Sequence, residues 1–248
     1  MKNYYGSLCT EMYEILHEKA PEDELQFYLS YANHNDKILE ALCGSGRFLV
    51  PFLNRGFDIT GLDLSLEMLA KLKKKAPDAK LIQADILEYS SHEKYDYIFI
   101  SSGSVLLFTD MNICLSILKK LKKMLMPNGE FVFAVDTIKN RLENDDDYKV
   151  LVSTKTKEGF ALILKSKNYF DEKSQTQFSP GIYELYNDKK ELLQKEYMDF
   201  QTHLYRFGEM EQYLKEIGFT DVKTYSSFSK NLADGNECDM FLFECSNF

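Results

Sequence analysis

Glu40, Asp63 and Asp85 each stand at the end of a short, largely apolar run, in KILEA, DITGLD and KLIQAD. Carboxylates at the ends of successive strands converge on the crevice where open α/β sheets take their ligands. Between the first two comes Gly44-Ser45-Gly46. Glycine at a strand-to-helix turn lets the backbone approach a ligand, because no Cβ stands in the way. The helix start that follows offers free N–H groups and a partial positive charge, which suit a carboxylate or another anion. Asp63, about twenty residues past the turn, is spaced to accept hydrogen bonds from both hydroxyls of a ribose. Asp85 with its neighbour Ile86 offers an acidic group to the edge of an adenine and an apolar one to its face.

Other reactive side chains are less organised. Ser101 and Ser102 follow the apolar run YIFI and suit a ligand contact or a turn equally. His203 precedes a helical stretch and is the best placed of the four histidines for a general base titrating near neutrality. His17, His34 and His92 have no ligand spacing, so no metal site is expected. Five cysteines without paired short spacings form neither a disulfide framework nor a zinc cluster. Lys73-Lys74-Lys75 reads as a solvated helix end favourable to the helix dipole.

The elements that must hold these residues alternate. Helices are expected within residues 7–30, then at 47–55, 65–75, 110–125 and 208–217; strands are expected at 37–41, 58–62, 80–83, 97–100 and 130–136. Leu66, Leu69 and Leu72 mark the inner side of the helix at 65–75, and Met126-Pro127-Asn128-Gly129 breaks the chain after the helix at 110–125. Alternation with short connections implies a parallel sheet wound with right-handed crossovers. From residue 141 the texture changes to four consecutive strand-like runs (149–156, 160–169, 174–186 and 191–205), which suggests an antiparallel meander. Two final runs, 221–228 and 238–245, suit a terminal antiparallel pair. The expected fold is α/β: a doubly wound, mostly parallel seven-stranded sheet with a terminal antiparallel β-pair and an inserted β-meander. Residues 1–140 and 203–248 would form the ligand-binding domain, and 141–202 an inserted lobe serving as substrate lid or dimer surface.

Composition narrows the partners. The chain has 248 residues, a formal charge of −9 and a pI near 5.1, which disfavours a broad grip on a phosphate backbone, so no nucleic acid is expected. The start MKNYYGSLCTEMYEIL is too polar for a signal peptide, and no apolar run is long enough to span a bilayer. A cytoplasmic protein without membrane attachment is the expectation. The sixteen Tyr and eighteen Phe supply the rings that line pockets.

Taken together, residues 40–47, Gly61-Leu62-Asp63-Leu64-Ser65 with Met68, Ala84-Asp85, Tyr95-Asp96-Tyr97-Ile98 and the Pro127-Asn128-Gly129 turn resemble the motifs of class I S-adenosylmethionine-dependent methyltransferases of the small-molecule-acceptor type. The likeness covers residues 35–137 and resumes at 205–219. It implies S-adenosylmethionine as cofactor, with S-adenosylhomocysteine as product. It also implies Glu40 at the cofactor's amino group, Cys43, Gly44 and Gly46 beside the methionine moiety, Asp63 at the ribose, and Leu64, Met68, Asp85 and Ile86 around the adenine. Ser101 and Ser102 would face the sulfonium region. The chain departs from the family at Leu42, where a glycine is usual.

The implied reaction is methyl transfer to N or O of a small molecule. Ser101-Ser102-Gly103-Ser104 differs from the Asn/Asp-Pro-Pro-Tyr pattern tied to nucleic-acid and glutamine nitrogens. Two alternatives stand beside it. One is an NAD-dependent oxidoreductase, weakened because Leu49 occupies the third glycine of G-x-G-x-x-G. The other is a module that binds S-adenosylmethionine without turnover. A homodimer through the β lobe is a further expectation.

Overall fold

The computed structural model describes residues 4–246. Its main sheet has seven strands in the order β13-β14-β5-β4-β1-β2-β3. These are β1 (Lys37–Ala41), β2 (Asp58–Asp63), β3 (Lys80–Gln83), β4 (Tyr95–Ile100), β5 (Leu125–Asp136), β13 (Asp221–Tyr225) and β14 (Met240–Ser246). The first five pair in parallel; β14 runs antiparallel to β5 and to β13. The strand order reverses between β1 and β4, which opens the crevice of a doubly wound sheet there.

Strand alternation divides the core between the two faces. Leu39, Ile98, Ile100, Phe131 and Phe133 meet α5 (Met111–Met124) and α6 (Glu209–Glu216) through Ile117, Leu118, Leu121, Met210 and Leu214. Ile38, Tyr97, Phe99 and Val132 face the other way, onto α2 (Glu22–Leu29), α3 (Leu49–Asn54) and α4 (Leu66–Lys75). Capping fixes two of these helix starts: the Ser65 side chain accepts from Met68 N–H, and that of Asp110 accepts from Asn112 and Ile113 N–H.

Local expectations change at three places. Leu66 is 55% exposed; with the helix capped at Ser65, Met68 joins Leu69 and Leu72 on the buried side. The breaker at 126–129 is not a separate connection. β5 begins at Leu125, directly after α5, and pairing jumps from Tyr95–Leu125 to Tyr97–Glu130, so those four residues bulge from the strand. The helix expected at 47–55 is trimmed to α3, with Pro51 in its first turn, where no intrahelical N–H bond is lost.

The single meander is instead two antiparallel sheets. One has the order β11-β10-β7-β6, from β6 (Lys149–Lys155), β7 (Ala161–Ser166), β10 (Gly181–Tyr186) and β11 (Leu192–Met198). The other has the order β12-β9-β8, from β8 (Tyr169–Asp171), β9 (Thr176–Phe178) and β12 (Gln201–His203). The long runs break at Ser179-Pro180, where proline has no N–H for a ladder, and opposite it at Asp199-Phe200. The four-stranded sheet packs Leu162, Tyr183 and Met198 against Leu8, Cys9 and Met12 of α1 (Ser7–Leu16). Among the described residues, no helix is long and apolar enough to cross a membrane.

Candidate active site

A cavity of about 530 Å³ opens at the carboxyl ends of β1, β2 and β4. Ten of the eleven residues expected to hold a cofactor line it: Glu40, Cys43, Gly44, Asp63, Leu64, Met68, Asp85, Ile86, Ser101 and Ser102. Gly46 does not. Both turn glycines have left-handed backbones, with φ +52 at Gly44 and +82 at Gly46. A Cβ on Gly44 would meet nothing nearer than Met68 Sδ at 3.9 Å, but one on Gly46 would lie 2.2 Å from Leu72 Cδ1. Gly46 therefore seats the turn on α4, while Gly44 lines the cavity.

The turn closes differently from the glycine-rich pattern. Leu42 takes φ +60, a conformation that glycine adopts freely and leucine adopts at a cost of about 1–3 kcal/mol. Its side chain packs against the core on the α5 side, and that packing offsets the strain. Ser102, in the turn that follows β4, has φ +56. Its N–H donates to Glu24 Oε1 at 2.8 Å and its hydroxyl lies against the Arg47 guanidinium.

Two carboxylates organise the floor. Asp63 accepts from Gly44 N–H through Oδ2 and from Ser65 N–H through Oδ1, both at 2.8 Å, so it ties the glycine turn to the start of α4. Burial raises its carboxyl above the usual value, against the lowering effect of the Ser65, Gly44 and Leu64 amides. Glu40 is 1% exposed. Ser101 donates its hydroxyl to Oε1 at 2.8 Å, and Oε2 is buried with no partner among the described residues. Burial pushes the Glu40 carboxyl up to about 8; the Ser101 bond and Arg47 pull it down, while Asp63 pushes it further up. Asp85 is exposed at the rim, where it caps the following turn by accepting from Leu87 N–H at 2.8 Å.

His203 lies outside the cavity lining. It is 3% exposed, edge-on to Tyr205, with Nε2 3.6 Å from Glu209 Oε1. Its strand runs beside the short 3-10 helix Ser104–Leu107, whose Ser104 and Leu107 do face the cavity. The position expected for a general base is thus behind the wall.

Several lining residues have no counterpart in the sequence expectation. Arg47 follows the glycine turn, lies over the rings of Tyr13 and Phe48 at 5.7 and 5.2 Å, and has a buried Nε with no hydrogen-bond partner among the described residues. Tyr4, Tyr5 and Tyr13 reach the cavity from the N-terminal segment, and Phe108 and Asp110 from the loop before α5. The spacing of Leu8 and Met12, which are buried against the lobe, carries no signal for the tyrosines beside them. The position of Arg47, directly after Gly44-Ser45-Gly46, was the available signal.

Residues 38–129 match the family model described as a methyltransferase domain. Among curated proteins, YqeM of Bacillus subtilis (strain 168), a methyltransferase by name, is 26% identical over 129 residues, covering 50% of this chain and 52% of that protein. The dTDP-3-amino-3,4,6-trideoxy-alpha-D-glucopyranose N,N-dimethyltransferase of Streptomyces venezuelae is 26% identical over 101 residues, 41% of this chain and 38% of that one. The chain thus spans about half or less of the length of these two relatives. Among solved structures, an S-adenosylmethionine-dependent methyltransferase from Clostridium acetobutylicum ATCC 824 superposes with TM-score 0.75 at 16% identity, covering 95% of this chain and 96% of that one. The sugar N-methyltransferase KedS8 from Streptoalloteichus sp ATCC 53650 gives 0.74 at 15%, covering 100% and 98%. These likenesses of fold take in the two antiparallel sheets of residues 149–203 as well as the main sheet.

Proposed function

We propose that this chain, a class I S-adenosylmethionine-dependent methyltransferase, methylates an amino group on a small, polar, sugar-like acceptor. The observation that carries the cofactor half is a pair of buried polar atoms of opposite character in one cavity, Glu40 Oε2 and Arg47 Nε, neither with a hydrogen-bond partner among the described residues. Leaving both unsatisfied is costly unless a ligand supplies partners. An amino-acid zwitterion fits, its ammonium on Glu40 and its carboxylate on Arg47. Asp63 accepts from the Gly44 amide on one oxygen and the Ser65 amide on the other, and a carboxylate has capacity for ribose hydroxyls besides. In this reading Leu64, Met68 and Ile86 flank the adenine, Asp85 meets its edge, and Ser101 holds Glu40 in place. Ser102, bonded to Glu24 and Arg47, keeps the sulfonium end in register.

Bound there, S-adenosylmethionine supplies an electrophilic methyl group on a sulfonium centre. The chain's share is placement and electrostatics, since displacement in line needs no covalent help from protein. Asp63, Asp85 and Asp110 outnumber Arg47 around the cavity, so its field favours cationic ligands. That supports an amine over a hydroxyl as acceptor, as do the sugar N-methyltransferases among the similar proteins.

Two further assignments belong to this reading. We place a homodimer contact on the lobe, where Val150, Leu151, Leu193 and Tyr197 are exposed; light scattering in solution tests it. We place the protein in the cytoplasm, which suits its five free cysteines.

Titration calorimetry with S-adenosylhomocysteine and with NAD tests the cofactor. Binding of the first alone is expected; binding of NAD alone would overturn the reading. Turnover is then followed as S-adenosylhomocysteine release over amino sugars and their hydroxy counterparts. Release with the hydroxy compounds only would move the acceptor atom from N to O.

A further inference from the structure

The cavity's N-terminal wall is held from two sides. Tyr5 and Tyr13, which line it, belong to α1 and the segment leading into it. On the side of the main sheet, Ser65 donates its hydroxyl to Tyr5 O at 2.8 Å, and Lys71 and Lys75 of α4 pair with Glu11 and Glu14. Lys75 also donates to Ser45 O at 3.2 Å, inside the glycine turn. That lysine is therefore a strut between α4, α1 and the turn rather than a solvated helix end.

On the side of the lobe one residue does most of the holding. Glu196 of β11 accepts from Leu8 N–H at 3.0 Å, from Cys9 N–H at 3.1 Å and from the Ser7 hydroxyl at 3.1 Å. The first amides of a helix have no partners within it, and the dipole end favours a negative group. No acidic residue lies in the first turn of α1 itself, and Gly6 gives no side-chain cap. Glu196 supplies both from a strand far along the sequence. The fit depends on Gly6: a Cβ there would stand 2.7 Å from Glu196 Oε1.

We propose that Glu196 is a positioning residue for cofactor binding: from the lobe, it docks the start of α1 so that Tyr5 and Tyr13 close the cofactor cavity. The proposal rests on the cavity being the S-adenosylmethionine site. It also gives the lobe a task at the cofactor. Loss of the carboxylate frees the start of α1, opens the wall, and speeds escape of the bound nucleoside while leaving the floor intact.

The test compares wild type, Glu196→Gln, Gly6→Ala and, as a control, Glu184→Gln. Glu184 sits on the same lobe but is held by Lys165, Lys195 and Tyr186. Gly6→Ala displaces the Glu196 side chain without removing its charge, at a φ of −78 that alanine accepts. S-adenosylhomocysteine affinity and release rate, and hydrogen exchange across residues 5–16, are measured for each. Both Glu196→Gln and Gly6→Ala are expected to weaken affinity roughly ten-fold, mainly through faster release, with faster exchange in α1. Glu184→Gln is expected to match wild type. Wild-type affinity in Glu196→Gln and Gly6→Ala would overturn the proposal, as would equal losses in Glu184→Gln. Absence of binding by wild type would instead overturn the cofactor reading.

Discussion

Ser101 donates its hydroxyl to one oxygen of Glu40 at 2.8 Å, and the other oxygen of that buried carboxyl has no hydrogen-bond partner among the described residues. The residue directly after β4 thus fixes the orientation of a β1 carboxyl across the switch point, leaving its second oxygen for a ligand. A buried carboxyl in that state resists ionisation until a cation arrives.

The first prediction concerns pH. With its folded-state pKa raised to about 8 by burial, Glu40 binds a proton in the folded protein that it releases on unfolding between the ordinary carboxyl range and about 8. Stability without cofactor therefore falls as pH rises through that window. Thermal melts from pH 5 to 8 should show a slope that Glu40→Gln reduces. An ammonium beside Glu40 favours its ionised form, so S-adenosylhomocysteine binding at pH 7 should release a proton, measurable by calorimetry in buffers of different ionisation enthalpy. Equal heats in all buffers would exclude the coupling.

Asp63→Ala should weaken S-adenosylhomocysteine binding by about 1–3 kcal/mol, through loss of the ribose contact and of the bond that braces Gly44. Asp63→Asn, which keeps an acceptor for one amide, should fall between. Unchanged calorimetric affinity in the alanine variant would remove Asp63 from the site.

The two turn glycines should separate. Gly46→Ala drives a Cβ into Leu72 at positive φ, so it should cost about 3 kcal/mol or more in denaturant melts. Gly44→Ala carries strain but no clash, about 1 kcal/mol. Its larger effect should appear as lost cofactor affinity, because its Cβ projects toward Met68 at the cavity. Equal melting losses would contradict this division.

His203 offers a negative test. Buried behind the Ser104–Leu107 wall, it should be dispensable for chemistry: His203→Gln is expected to keep kcat within about two-fold, with any loss appearing in stability. A fall in kcat of about 100-fold or more, the scale of general base catalysis, would return it to the reaction.

The parallel half of the fold was legible because alternation and breakers repeat within short windows; β1 and β3 run as their residues foretell. Glu40 and Asp63 were legible because strand ends and the glycine turn place them. The lobe was not, since Pro180 splits a run whose alternation continues on both sides of it. Arg47 and the tyrosines escaped for another reason. Tyr5 meets Ser65, and Glu196 meets Leu8, across separations that no local pattern records.

The antiparallel position of β14 carries a consequence for synthesis. β14 lies between β5 and β13 yet follows both in sequence, with the whole lobe made before it. While the chain emerges, the β5 edge stays unpaired, rich in Phe131, Val132, Phe133 and Val135 and open to pairing with other chains. Only when β14 slots in does the sheet seal. A nascent chain paused before residue 240 should therefore be the species most prone to aggregate and most dependent on chaperones.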